Sequence, residues 1–66
     1  MKSFIVSEKD DSRHLVRVIS SEFPALEIPV IRKALRNRDI RINGKRVRED
    51  QAVHASDEIT VYLPDG

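Results

Sequence analysis

Cysteine is absent from this chain, so neither a disulfide nor a thiolate metal cluster can supplement its core, and a reducing compartment is compatible with it. Glycine is almost as scarce: Gly44 and Gly66 are too few for a loop that cradles phosphates. Two phenylalanines, one tyrosine and no tryptophan leave little with which to stack on unpaired bases, which disfavours recognition of single strands. No apolar run approaches the roughly 20 residues of a membrane span, and the opening MKSFIVSEKDDS lacks the hydrophobic stretch of a signal peptide, so a cytoplasmic location is expected. Chemistry-bearing constellations are missing too. His14 and His54 have no His or Cys at ligand spacing, Ser20, Ser21 and Ser56 sit in no elbow motif, and the acidic neighbours Asp10–Asp11 and Asp57–Glu58 read as caps and flanks of elements. Nothing in these 66 residues calls for a metal, a cofactor or catalysis.

What is present is a chain that should fold. With 39% hydrophobic and 35% charged residues, and aliphatics spread along its length, the composition is that of a globular domain rather than a disordered tail. Residues 1–66 make one domain at most, and a chain of this size buries only about 60% of the surface its unfolded form exposes. The core must be small, with little room for an enclosed active site.

The net charge of +1 conceals a strong segregation. Residues 32–48, RKALRNRDIRINGKRVR, carry Arg32, Lys33, Arg36, Arg38, Arg41, Lys45, Arg46 and Arg48 against Asp39 alone. Residues 49–66 carry Glu49, Asp50, Asp57, Glu58 and Asp65 and no Lys or Arg, while residues 1–31 sum to −1. Such asymmetry has two readings: a positive surface that meets a polyanion, or a solvated face balanced by the acidic tail.

Hydrophobic spacing places these charges on elements. Residues 3–8, SFIVSE, read as a first strand with Phe4 and Val6 on one face. Asp10, Asp11 and Ser12 offer a helix cap, and Leu15, Val16, Ile19 and Phe23 then share one arc of a helix that ends near Pro24. Pro29 suits the first position of a second helix, with Ile28, Val30, Ile31, Ala34 and Leu35 on one side and Arg32, Lys33 and Arg36 on the other. Arg32 and Arg36 lie four apart and repel mildly in isolation. In IRINGKRV, Asn43-Gly44 is the preferred pair for a two-residue hairpin turn, which sets Ile40 opposite Val47 and Arg41 opposite Arg46. Two like charges directly opposed are unfavourable unless a polyanion lies across them or their long stems splay into water. EITVYLP alternates Ile59, Val61 and Leu63 against Thr60 and Tyr62 and reads as a last strand.

The order of two helices and then a hairpin, with ALEIPVIRKALRNRDIRINGKRV followed by SDEITVYL, resembles the small RNA-binding domain named after ribosomal protein S-four. The leading SFIV and the helix RHLVRVI make it most similar to the N-terminal domain of RluA-type ribosomal RNA pseudouridine synthases. Ile40, Ile42, Asn43, Gly44 and Val47 match the family's hairpin pattern, and Asp57, Glu58 and Ile59 its acidic turn. Arg38 stands where a glycine commonly ends the second helix, and His14, Leu15 and Val16 stand where Arg-Leu-Asp is usual. The resemblance implies an α+β fold of the alpha-L motif type, with two helices on a small antiparallel sheet and a central hairpin. It also implies a non-catalytic module whose second helix and hairpin form one concave basic surface for structured, ribosomal RNA. Its site residues would be Arg32, Lys33, Arg36, Arg38, Arg41, Lys45, Arg46 and Arg48. A catalytic domain with an essential Asp would follow Gly66, making the whole protein an isomerase that modifies RNA.

Two other readings compete. The basic face could dock an acidic protein surface, such as that catalytic domain. INGKRV with DEITVYLPDG also resembles the closing half of β-grasp sulfur carriers, which need a C-terminal Gly-Gly where this chain has Asp65-Gly66.

Overall fold

Asn43 and Gly44 adopt φ of 51° and 82°, the doubly positive pair that lets a two-residue turn match the twist of its strands. The flanking residues pair in the expected register: Ile40 with Val47, Arg41 with Arg46, Ile42 with Lys45. The computed structural model describes residues 2–62. In chain order its elements are β1 (Lys2–Ile5), α1 (Leu15–Glu22), α2 (Ile28–Arg36), β2 (Ile40–Ile42), β3 (Lys45–Val47) and β4 (Glu58–Val61), with a 3-10 turn at Glu8–Asp10. The strands form one sheet in the order β1-β4-β2-β3, every neighbouring pair antiparallel. Two helices pack on this sheet, giving the small α+β fold expected. Leu63, read as part of the last strand, and Asp65-Gly66, on which the carrier reading turns, lie outside the described residues.

Period-two alternation decides which face of the sheet is covered. Ile40, Ile59 and Val61 are fully buried, and Phe4, Ile42 and Val47 pack against the same cluster. Leu15, Val16, Val18 and Ile19 of α1 and Ile31, Ala34 and Leu35 of α2 complete it. Phe4 meets Phe23 edge-on, with ring centres 5.5 Å apart, and the Lys2 ammonium lies 5.4 Å from the Phe23 ring centre. The opposite face of the sheet is open, and the register sets Ser3, Thr60, Arg41 and Arg46 in a row across it.

Several sequence expectations shift. The first strand ends at Ile5 rather than residue 8, because the chain turns at once into the 3-10 segment. Helix α1 starts at Leu15 behind His14, not behind Asp10–Ser12. Asp11 instead accepts the Ala55 N–H at 2.9 Å, and the Ser12 N–H donates to the Val53 carbonyl. The residue that serves the start of α1 is Asp50, whose Oδ1 accepts the Val16 N–H at 3.0 Å. A distant carboxylate thus does what a local cap would do for the orphan donors of a first turn. Val18 joins the buried arc of α1, whereas Ile28 and Val30 remain 47% and 43% exposed, because the contact face of α2 narrows to Ile31, Ala34 and Leu35. Pro29 occupies the second position of α2, where its missing N–H is equally unneeded. Val53, in the segment between β3 and β4, is fully buried, since residues 51–53 run along residues 12–15 and exchange backbone bonds with them.

Two local devices hold the hairpin in place. Asn43 does more than turn: its Nδ2 donates to Asp57 at 3.0 Å, its Oδ1 accepts the Glu58 N–H at 2.9 Å, and its N–H donates to the Glu58 carbonyl at 2.8 Å. The tip of β2–β3 is thereby clasped to the start of β4. Asp57 also accepts the His54 N–H, and this bond, with the Asn43 amide second, holds its carboxyl below the ordinary carboxylate value. A depressed folded-state pKa means stability that is present above the unfolded value, near pH 4, and is lost as pH falls through the lower folded one. Asp57→Ala should therefore lower stability by about 1 kcal/mol at pH 7, with the gap in Tm narrowing as the pH falls below the ordinary carboxylate range. A gap independent of pH would contradict this role for the carboxylate.

The second device ends α2. The Asp39 N–H donates to the Ala34 carbonyl and the Arg38 N–H to the Leu35 carbonyl, the paired bonds of a Schellman motif, with Arg38 at φ 60°. Glycine is the usual occupant, and a side chain held there costs roughly 1–2 kcal/mol.

Candidate nucleic-acid interface

Arg17 of α1 and Arg13, just before that helix, share a depression with Arg32 of α2, and Arg36 lies one turn further along α2. The chain leaving β3 brings Arg48 beside them. These side chains line three shallow depressions that merge through shared residues. The first is bounded by Arg13, His14, Arg17, Ser20, Ile28, Arg32 and Asp50. The second takes Ile28, Arg32 and Asp50 from it and adds Pro29, Leu35, Arg36 and Arg48. Arg48 then belongs to the third, with Arg38, Arg46 and Val47. Through these shared residues the three depressions adjoin one another as a track from the helix pair to the outer edge of the sheet. Its floor includes the exposed side chain of Ile28, whose 47% exposure on α2 gives the track an apolar element between its charges.

Of the eight cations in the central run, the structure brings five onto this track: Arg32, Arg36, Arg38, Arg46 and Arg48. Lys33 lies on the exposed side of α2 and lines none of the three depressions. Lys45 sits at the hairpin tip opposite Ile42. Arg41 is half-buried on the open face of the sheet, its guanidinium carbon 4.9 Å from the Tyr62 ring centre and its Nε buried without a hydrogen-bond partner among the described residues. That stacking occupies the one tyrosine ring that could have met a base. Arg41 and Arg46 are directly opposed on the strands, as the turn chemistry requires, yet only Arg46 reaches the track.

Arg13 and Arg17 were not among the expected site residues. Arg17 lies on the polar side of the amphipathic α1, whereas Arg13 precedes the helix and joins the track through the path of the chain into α1. The charge count concealed them because carboxylates at 8, 10, 11 and 22 offset them in sequence. In space only Asp10 comes near, 3.8 Å from the Arg13 Nε.

Among the described residues, Asp50 is the one carboxylate lining the track. Its Oδ1 is committed to the Val16 N–H, and its Oδ2 lies 3.7 Å from His14 Nδ1. His54 Nδ1 lies 3.5 Å from Asp11 Oδ1. None of the eight central cations is paired with a carboxylate among the described residues, and of the acidic C-terminal third only Asp50 lines the track there. No group of three His, Cys, Asp or Glu side chains among those residues could hold a metal ion, and no helix among them is long and apolar enough to cross a membrane.

No protein-family model matches the chain. Over 63 residues, 94% of its length, it is 35% identical to an uncharacterized RNA pseudouridine synthase of Mycoplasma capricolum subsp. capricolum. The matched stretch is 21% of that protein, so the chain spans about a fifth of the length of the curated relative it matches. A small α+β domain is thus similar to a minor part of an RNA pseudouridine synthase.

Proposed function

We propose that the chain is a non-catalytic RNA-binding module of the type named after ribosomal protein S-four, docking structured ribosomal RNA for a linked pseudouridine synthase. The observation that carries this reading is the arginine-rich track: five central guanidinium groups without a carboxylate partner among the described residues, joined by Arg13 and Arg17, around three adjoining shallow depressions. Guanidinium groups spaced along a track neutralise successive phosphates and release their counterions. A shallow surface without free aromatic platforms favours the wide minor groove of A-form RNA, which is read through its shape, phosphates and 2′-hydroxyls. Affinity should come with modest sequence specificity, and the linked catalytic domain would supply the choice of uridine.

With about four to six phosphates engaged, log K for a stem–loop RNA should fall against log salt with a slope near −3 to −5. Fluorescence anisotropy between 50 and 300 mM KCl measures it. A flat dependence, or equal binding to an unstructured oligonucleotide of the same length, would remove the basis for this function.

A further inference from the structure

The third depression differs from the other two. It is lined by Arg38, Arg46, Arg48 and Val47, with no carboxylate among them, whereas both others include Asp50. Its volume, about 210 Å³, is below the roughly 300–1,000 Å³ typical of sites that enclose larger organic ligands. The three arginines come from two directions: Arg46 and Arg48 from the edge strand and its exit, two residues apart and hence on one side of the chain, and Arg38 from the end of α2. A second, independent observation concerns the backbone. Arg38 keeps φ 60° at a helix terminus where glycine would be free of strain. Ser12 and Ser56 share such a φ, but Arg38 alone combines it with a place in a concave site whose charged groups are all basic, the kind of strain that binding sites retain.

We propose that Arg38, Arg46 and Arg48 form a dedicated subsite for a single phosphate group, distinct from the helix-pair part of the track; in its biological role it rests on the RNA-binding reading above. The carboxy-terminal dipole of α2 opposes an anion here with about half a unit of charge. Three guanidinium groups outweigh it. Each offers a planar fork of donors, so three of them can share the oxygens of one phosphate without competing for the same lone pair. The phosphate would be either an internal phosphodiester of a sharply turned backbone or a terminal monoester, two sources of the same chemistry.

Arg38→Gly tests this without endangering the fold, because glycine relieves the strain. Its Tm should rise by about 4–8 °C. Its affinity for a stem–loop RNA should fall roughly five- to ten-fold, with the magnitude of the salt slope reduced by about one. The RNA is used with a 5′-hydroxyl and with a 5′-monophosphate. Equal losses on both identify an internal phosphodiester; a wild-type preference for the 5′-monophosphate that vanishes in the variant identifies a terminal one. In parallel, inorganic phosphate is titrated into the wild type and amide shifts are followed by NMR. Saturable shifts confined to Arg38 and residues 46–48, and lost in Arg38→Gly, are expected. A variant that binds both RNAs with wild-type affinity and slope overturns the subsite while leaving the RNA-binding reading intact. Saturable phosphate binding at the three arginines in a protein that binds no RNA does the reverse.

Discussion

Reversing Arg32 and Arg36 together to glutamate should reduce affinity for structured RNA by on the order of 100-fold or more at low salt, with the far-UV circular dichroism unchanged. Arg32 lines both large depressions and Arg36 the second, so the double reversal removes two positive charges from the centre of the track and adds two negative ones beside Asp50. Like charges facing a phosphate backbone cost several kcal/mol, well beyond the loss of two ordinary contacts. Both side chains are exposed, and neither forms an ion pair among the described residues, so the fold loses nothing of consequence. Two glutamates at this four-residue spacing repel as the two arginines do, so no gain in stability is expected. Lys33→Glu is the control. It changes the same net charge per substitution on the same helix but lies off the track, so its effect should stay within about five-fold. If Lys33→Glu proves as damaging as either single arginine reversal, binding follows overall charge and the track has no special standing.

The second large effect is on stability. Ile31→Ala should cost about 3 kcal/mol, and Ile31→Val about 1 kcal/mol. A chain of this size has roughly 3–10 kcal/mol in total, so the alanine variant should show a sharply lowered urea midpoint or be partly unfolded in buffer. Ile31 is fully buried and lies in the narrow contact face of α2, next in sequence to Arg32. Its neighbours Ile28 and Val30, apolar on the same helix, are largely exposed. Truncating Val30 to alanine should therefore change the midpoint little. Equal effects at Ile31 and Val30 would mean that α2 is packed in a different rotation, and the track with it.

The contrast between Ile31 and Val30 also marks where sequence reasoning stopped. Helical periodicity gathered Ile28, Val30, Ile31, Ala34 and Leu35 on one side, but it cannot tell how wide a strip the sheet and α1 will cover. Three of the five are buried. The same limit explains the start of α1. Asp10, Asp11 and Ser12 are suitable capping residues by type, yet the cap comes from Asp50, thirty-four positions from the N–H it accepts. A local rule sees only local donors and acceptors. Val53 was overlooked because one apolar residue between polar neighbours carries no period, and only the pairing of its segment with residues 12–15 puts it inside.

By itself the sequence determined the hairpin: Asn43-Gly44 permits few turn geometries, and a two-residue turn then dictates every pairing from Ile40 to Val47. It likewise determined the two helices, the apolar faces of the strands and the existence of a strongly basic central third, because these follow from short-range sterics, periodicity and composition. The tertiary structure alone decided which cations share a surface. Lys33, Arg41 and Lys45 turned away, Arg13 and Arg17 joined, and Asp50 entered as a helix cap. Charge is additive along a chain, but an electrostatic site depends on distance and direction in space, and those are fixed only when the helices, the sheet and the long segment before β4 have packed.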